Sequence, residues 1–216
     1  MNPKKTKTFF DGALDSLIKV TMTPLLKKVG FKKKGRCWNK QVGDLVHVIQ
    51  LQVSRYNTAD DGSFTLNIGV FHSQVFSIIW DKYPPRHVPI ENCIFSVRVG
   101  FIDAAQQNSN DVYDIWWSID SKTNMEALLE EIDVSISEKI LPFLSRLSDA
   151  ASVLECIERT NRYRNEMPLC RLNHAVLSSL VGMDKDRAIK EIEEVASGCK
   201  DWKLRCDIAK RNLAAL

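Results

Sequence analysis

Two neighbouring stretches, Leu45 to Tyr56 (LVHVIQLQVSRY) and Phe64 to Phe71 (FTLNIGVF), alternate apolar with polar side chains on either side of a polar loop, NTADDGS. Period two is the repeat of a β-strand, which sends successive side chains to opposite faces. Leu45, Ile49, Leu51 and Val53 therefore share one face, with Gln50, Gln52 and Ser54 on the other. In the second run Phe64, Leu66, Ile68 and Val70 fall together, and Thr65 and Asn67 point away. The pair predicts an antiparallel sheet with one buried side and one polar, accessible side.

Elements before and after this pair follow from the same periodicities. Phe9 to Val29 reads as an amphipathic helix, with Pro24 bending or dividing it and Gly30 as its stop. A short strand at Cys37 to Lys40 turns at Gly43-Asp44 into the long strand. Gln74 to Trp80 forms a short helix, followed by the irregular loop YPPRHVP. Asn92 to Phe101 alternates again, with Cys93, Phe95, Val97 and Val99 on one side and Ser96 and Arg98 on the other. A last strand spans Val112 to Ile119 and contains Trp116-Trp117.

From Asn124 the period changes to 3.6, with Leu128, Ile132, Ile136, Ile140 and Leu144 on one stripe and a kink at Pro142. Ser148 or Asp149 caps the next helix, and three more helices start near Pro168, Asp184 and Asp201. The fold class is α+β: an N-terminal helix, an antiparallel sheet of about five strands, then C-terminal helices. Residues 1–160 are expected to form the α+β domain and residues 161–216 a helical appendage.

Composition narrows the function classes. In 216 residues, 44% are hydrophobic and 26% charged, the balance of an ordinary globular protein. No run of about 18 apolar residues is present, so no membrane span is expected. The N-terminal MNPKKTKTFFDGALDS has no apolar signal region, which makes the cytoplasm the expected location. The six cysteines contain no C-x-x-C pair and are expected as reduced thiols. Cys170 and His174, four apart, could share a helical face as ligands, but core packing accounts for them better. No metal and no cofactor is expected.

No phosphate-cradling glycine motif and no nucleophile elbow occurs. Of the four histidines, only His72, with Asp81 downstream, is placed for acid–base chemistry.

Two surfaces remain as candidates. The first is the polar sheet face, where Gln50, Gln52, Thr65, Asn67, Ser96 and Arg98 line up if the strands pair in register, with Arg55 and Trp116 at its rim. Amides, a guanidinium and an aromatic suit a protein segment, a carboxylate or a phosphate.

The second is a basic patch, Lys32, Lys33, Lys34 and Arg36, with Phe31 and Trp38 interleaved. Residues 1–55 hold twelve Lys or Arg against three Asp or Glu, whereas the rest of the chain is acidic. Lysines with aromatics can grip single-stranded nucleic acid. Against that, the whole-chain pI is about 8.5, below the usual range of nucleic-acid domains.

Several segments together resemble a bacterial family described as a domain of unknown function, DUF4304. They are GFKKKGRCWNK at Gly30, IQLQVSRYN at Ile49, FTLNIGVF at Phe64, the Trp116-Trp117 pair and ILPFL at Ile140. The resemblance covers about residues 9–160 and leaves the terminal helices outside. It implies a small cytoplasmic bacterial protein, with similar members accompanying toxin–immunity or defence genes, and it brings no site residues.

The expected function is a non-enzymatic protein-binding module that uses the polar sheet face, with an immunity or defence role as its sharper form. The alternatives are an enzyme with a site on the same face and a nucleic-acid-binding module using the basic patch.

Overall fold

In the computed structural model, residues 7–102, 114–160, 167–182 and 184–216 are described. The chain opens with α1 (Phe9–Leu17), a π-helical turn (Ile18–Met22) and α2 (Thr23–Lys28). Strands β1 (Lys32–Lys34), β2 (Cys37–Val42), β3 (Leu45–Val53) and β4 (Gly62–His72) follow, and then α3 (Ser73–Trp80). Next come β5 (Phe95–Arg98), β6 (Trp117–Ile119), α4 (Met125–Val134), a second π-helical turn (Ser135–Ile140) and α5 (Leu141–Ser145). The chain ends with α6 (Ala150–Thr160), α7 (Pro168–Leu180), α8 (Lys185–Gly198) and α9 (Lys203–Ala214).

The sheet is antiparallel in the order β1-β2-β3-β4-β5, and β6 pairs with the far end of β4 on the same side as β5. Its spine is the β3–β4 ladder, from Leu45 opposite His72 to Val53 opposite Phe64. Gly43, at φ +54°, takes the first position of the tight turn that enters β3, a conformation L side chains disfavour. Both expected helical stripes form. Each continues through its proline by widening to a π-turn just before it, and Pro24 and Pro142 then sit in the first turn of α2 and α5. A proline inside an α-helix lacks a donor and clashes with the carbonyl four residues back; the wider turn relieves both problems.

One face of the sheet is closed by helices. Trp38, Ile49, Leu66, Ile68, Val70 and Val97 form one cluster with Leu14, Met22 and Leu26 of the N-terminal helical run and with Ile132, Ile140 and Phe143 of α4–α5. His47 shares this face. It is 4% exposed, and its Nε2–H donates to the Leu147 carbonyl at 2.8 Å. His72 has a comparable duty: its Nδ1 accepts the Val75 N–H at the start of α3.

The same apolar cluster continues into the terminal helices through Leu172, Val176, Ile192 and Cys206. These pack on α3 and α6 instead of over the sheet. Helix α9 caps α3: Arg205 donates to the Ile79 and Trp80 carbonyls, and Asn212 to Ile78. The Arg205 guanidinium also stacks on Trp80, 4.4 Å from its ring centroid. Asp81, at φ 53°, ends α3 in the left-handed region and is held by Arg211 at 3.0 Å.

Three expectations need correction. The long strand is buried on both faces along its first half, Leu45 to Ile49, so its polar face is not continuous. Cys93 lies outside β5 and packs with Cys37, Val46, Val48, Phe71 and Val88 on the opposite side from Phe95 and Val97. The Asn92–Phe101 run keeps strand geometry only over Phe95–Arg98 and then turns into a 3-10 helix. Residues 112 and 113 of the last expected strand lie outside the described residues; the strand itself spans Trp117–Ile119.

The loop from Pro84 to Cys93 causes the first two corrections. It lies on the outer face, where Asn39 exchanges two hydrogen bonds with Val88: Nδ2 to the carbonyl at 3.0 Å, and the Val88 N–H to Oδ1 at 2.6 Å. Gly69 permits this close approach. A Cβ there would lie 2.7 Å from Cys93 Sγ and 2.7 Å from Ile90 Cδ1. Gly69→Ala should therefore push the loop outward, lowering stability by about 1–3 kcal/mol in urea unfolding. Peptide mapping should also show faster alkylation of Cys37 and Cys93, whose thiols burial now pushes up, Cys37 to about 11. An unchanged alkylation rate would mean that the loop is not seated by this contact.

Burial holds both His47 and His72 below the ordinary histidine value of 6.5. A depressed value means that the unfolded chain takes up protons first. Their contribution is therefore complete above that value and is lost as pH falls through the folded one. The urea midpoint should drop between about pH 7.5 and about pH 5. His47→Gln, which can still donate to Leu147, should shrink the drop; an equal drop in that variant would remove His47 from the account.

Candidate functional site on the outer sheet face

The strand register builds the outer face in rows. Lys34 pairs with Cys37, Cys37 with Gln50, Gln50 with Asn67, and Asn67 with Arg98. Residues opposite one another share a face, so these five form one row across five strands. The next row holds Gln52 opposite Thr65, and one step further Ser63 opposite Ser118. Extending the β4–β6 register by one residue brings Trp116 beside Thr65.

Within this region the polar groups are tied to one another. Asn67 Nδ2 donates to Gln52 Oε1 at 2.8 Å across the β3–β4 pair. Arg98 forms an ion pair with Asp114, and Trp116 Nε1 donates to the same carboxylate oxygen at 2.9 Å. The guanidinium also lies over the Trp116 ring, 5.3 Å from its centroid. Asp114 thus holds the cation and the aromatic together on the rim, and Arg98 presents a largely neutralised charge. Past the serine row, the β3–β4 turn and β6 enclose a polar cleft of about 310 Å³ lined by Ser54, Asn57, Asp61 and Asp120 among others. Hydrogen bonds from Thr123 and from the Lys122 N–H keep Asp120 below the usual carboxylate value.

The structure therefore brings Gln50, Gln52, Asn67, Arg98 and Trp116 together on an open patch, with Ser96 exposed beside it. Thr65 belongs to the patch by register but is fully buried, a correction to its expected accessibility. Arg55 lies in the turn past β3 and stacks on its neighbour Tyr56 at 4.8 Å.

The basic patch divides. Lys32 and Lys33 are exposed on the edge strand, and Arg36 reaches Asp11 at 3.5 Å. Lys34 enters the polar row, but the His87–Val88 turn separates it from the open patch; burial and then Lys34 hold His87 below its ordinary value. Phe31 and Trp38 are core residues at 4% and 1% exposure, so no stacking platform accompanies these lysines.

Asp114 was invisible to pattern reading, because it precedes β6 and acts through tertiary contact. Its only signal was an acidic side chain two residues before a tryptophan. In the terminal helices, His174 is buried between Glu191 at 3.1 Å and Glu158 at 3.3 Å, which bind α6, α7 and α8 together. That contact gives the histidine a partner other than Cys170. Among the described residues no cluster of three His, Cys, Asp or Glu side chains is arranged to hold a metal.

These features define a class: a twisted antiparallel sheet closed on one face by helices, with half of its other face capped by a loop and half left polar and open. The family model described as domain of unknown function DUF4304 matches residues 22–146, more than half of the chain and all six strands. The chain belongs to that family. The terminal helices α6 to α9 lie beyond the matched region. Neither curated proteins nor solved structures gave a significant match. No helix among the described residues is long and apolar enough to cross a membrane.

The Thr65 hydroxyl has no hydrogen-bond partner despite its burial. Leaving such a group unmet costs about 1–3 kcal/mol, and valine has nearly the same shape. Thr65→Val should therefore raise the unfolding free energy by roughly 1 kcal/mol in chemical denaturation. A loss of stability would mean that the hydroxyl engages a group this row does not contain.

Proposed function

We propose that the chain is a non-enzymatic protein-binding module that holds its partner on the open part of the outer sheet face. The supporting observation is one patch that combines a paired amide ladder, Gln52 with Asn67 beside Gln50, and the Arg98–Asp114–Trp116 cluster. Among the described residues, much of the remaining sheet surface is packed by helices or by the 84–93 loop.

Amide groups offer both donors and acceptors, and Trp116 supplies a half-buried aromatic anchor of the type that dominates interface energetics. Because Asp114 neutralises Arg98, recognition falls to hydrogen bonding and ring contact more than to net charge. The resemblance noted above supports placing this module in the bacterial cytoplasm, in an immunity-like role towards a partner protein. The enzyme alternative has less behind it, since His47 and His72 are each engaged with backbone groups. The nucleic-acid alternative loses its aromatics to the core.

The test uses the tagged full chain, cross-linked in its source cells. A face variant, Gln50→Ala with Asn67→Ala and Trp116→Ala, is compared with an edge variant, Lys32→Glu with Lys33→Glu. The wild type and the edge variant should retain a stoichiometric protein. The face variant should weaken its binding by roughly thirtyfold, the loss of about 2 kcal/mol typical of a central anchor. Equal retention by the face variant would overturn the reading, and selective loss in the edge variant would move the surface to β1.

A further inference from the structure

Register places four polar side chains on the helix-covered face of the sheet: Lys33, Lys40, His47 and His72. Lys40 and His47 are register partners in the row that continues to Val70 and Phe95. An ammonium group in a row given mainly to the core is unusual. Both residues line a groove of about 270 Å³ at the edge of the sheet. Its walls are Val29 and Phe31 from the α2–β1 segment, Val42 from β2, and Leu141 and Leu144 from α5; Ser145, exposed to solvent, stands at its mouth.

Among the described residues, no acidic side chain lines this groove. Lys40 Nζ lies 5.9 Å from the Phe31 ring centroid, and among the described residues no carboxylate pairs with it. His47 Nε2 is already committed to the Leu147 carbonyl, so its ring forms a fixed wall.

We propose that this groove binds a small organic acid with an apolar tail, its carboxylate on Lys40 and its tail against the half-buried Val29, Val42 and Leu141. The volume falls just below the range of about 300–1,000 Å³ usual for drug-sized ligands. That size suits a medium-chain fatty acid or an arylalkanoate. The ammonium gives up no ion pair in order to meet the carboxylate, and the apolar walls reward the tail for leaving water. The site lies on the opposite side of the sheet from the amide patch, so this inference stands or falls independently of the proposed protein partner.

Octanoate and phenylacetate, titrated into the full chain, test it by NMR at the His47 ring, which lines the groove and reports binding there alone. Saturable shifts are expected with a Kd at or below about 1 mM for at least one acid. The matching neutral amide should bind about tenfold more weakly, and Lys40→Gln should cause a loss of similar size. Ser145→Trp, substituted at an exposed position, should plug the mouth and abolish the shifts, with circular dichroism confirming that both variants are folded. Absence of saturable shifts with both acids would overturn the proposal. So would equal affinity for the amide, or full affinity in either variant.

Discussion

The ladder between β3 and β4 is the constraint on which the other features depend. Because β-strand side chains alternate, a slip of one residue in this pairing would set the apolar face of one strand beside the polar face of the other. The register seen here puts Ile49 beside Ile68 and Leu51 beside Leu66 under the helices, and Gln50 beside Asn67 and Gln52 beside Thr65 on the outside. With β4 held in place, the slipped alternative would turn Gln50 and Gln52 beneath hydrocarbon, where amide groups without hydrogen-bond partners cost free energy. The same pairing sets the rows that later receive Arg98 from β5 and Trp117 from β6.

Both faces are then finished by unlike means. Helices α1–α2 and α4–α5 close the inner face through large aliphatic and aromatic side chains, and each run accommodates a proline by a π-turn. On the outer face, a proline-rich loop covers Val46, Val48 and Phe71, held by the two Asn39–Val88 hydrogen bonds and admitted by the missing side chain at Gly69. The terminal helices neither cover the amide patch nor stand apart from the core. They meet α3, whose last carbonyls receive Arg205 and Asn212.

Much of this was legible beforehand, and the parts that were not share a cause. Strands β2 to β6, the turn at Gly43-Asp44, the helix at α3 and the terminal helix starts follow from period and capping, which act between residues close in sequence; β1, a run of three lysines, carries no such period. The amide patch was legible for the same reason, because alternation assigns Gln50, Gln52 and Asn67 to a face before any partner strand is known. The cover over Val46 and Val48 was not, since the burial of both faces of a strand depends on a loop some forty residues away. Asp114 and the burial of Thr65 were hidden likewise, each depending on a neighbour brought in by folding.

By itself, then, the order of residues determined the elements, the fold class and which side chains share a face, because those depend on local geometry and a repeat of two or 3.6. Only the tertiary structure decided how much of the outer face stays open, which carboxylate neutralises Arg98, and that Lys40 and His47 border an apolar groove. Each of these depends on contacts between distant segments, and burial and charge pairing are properties of the packed surroundings, not of the residue.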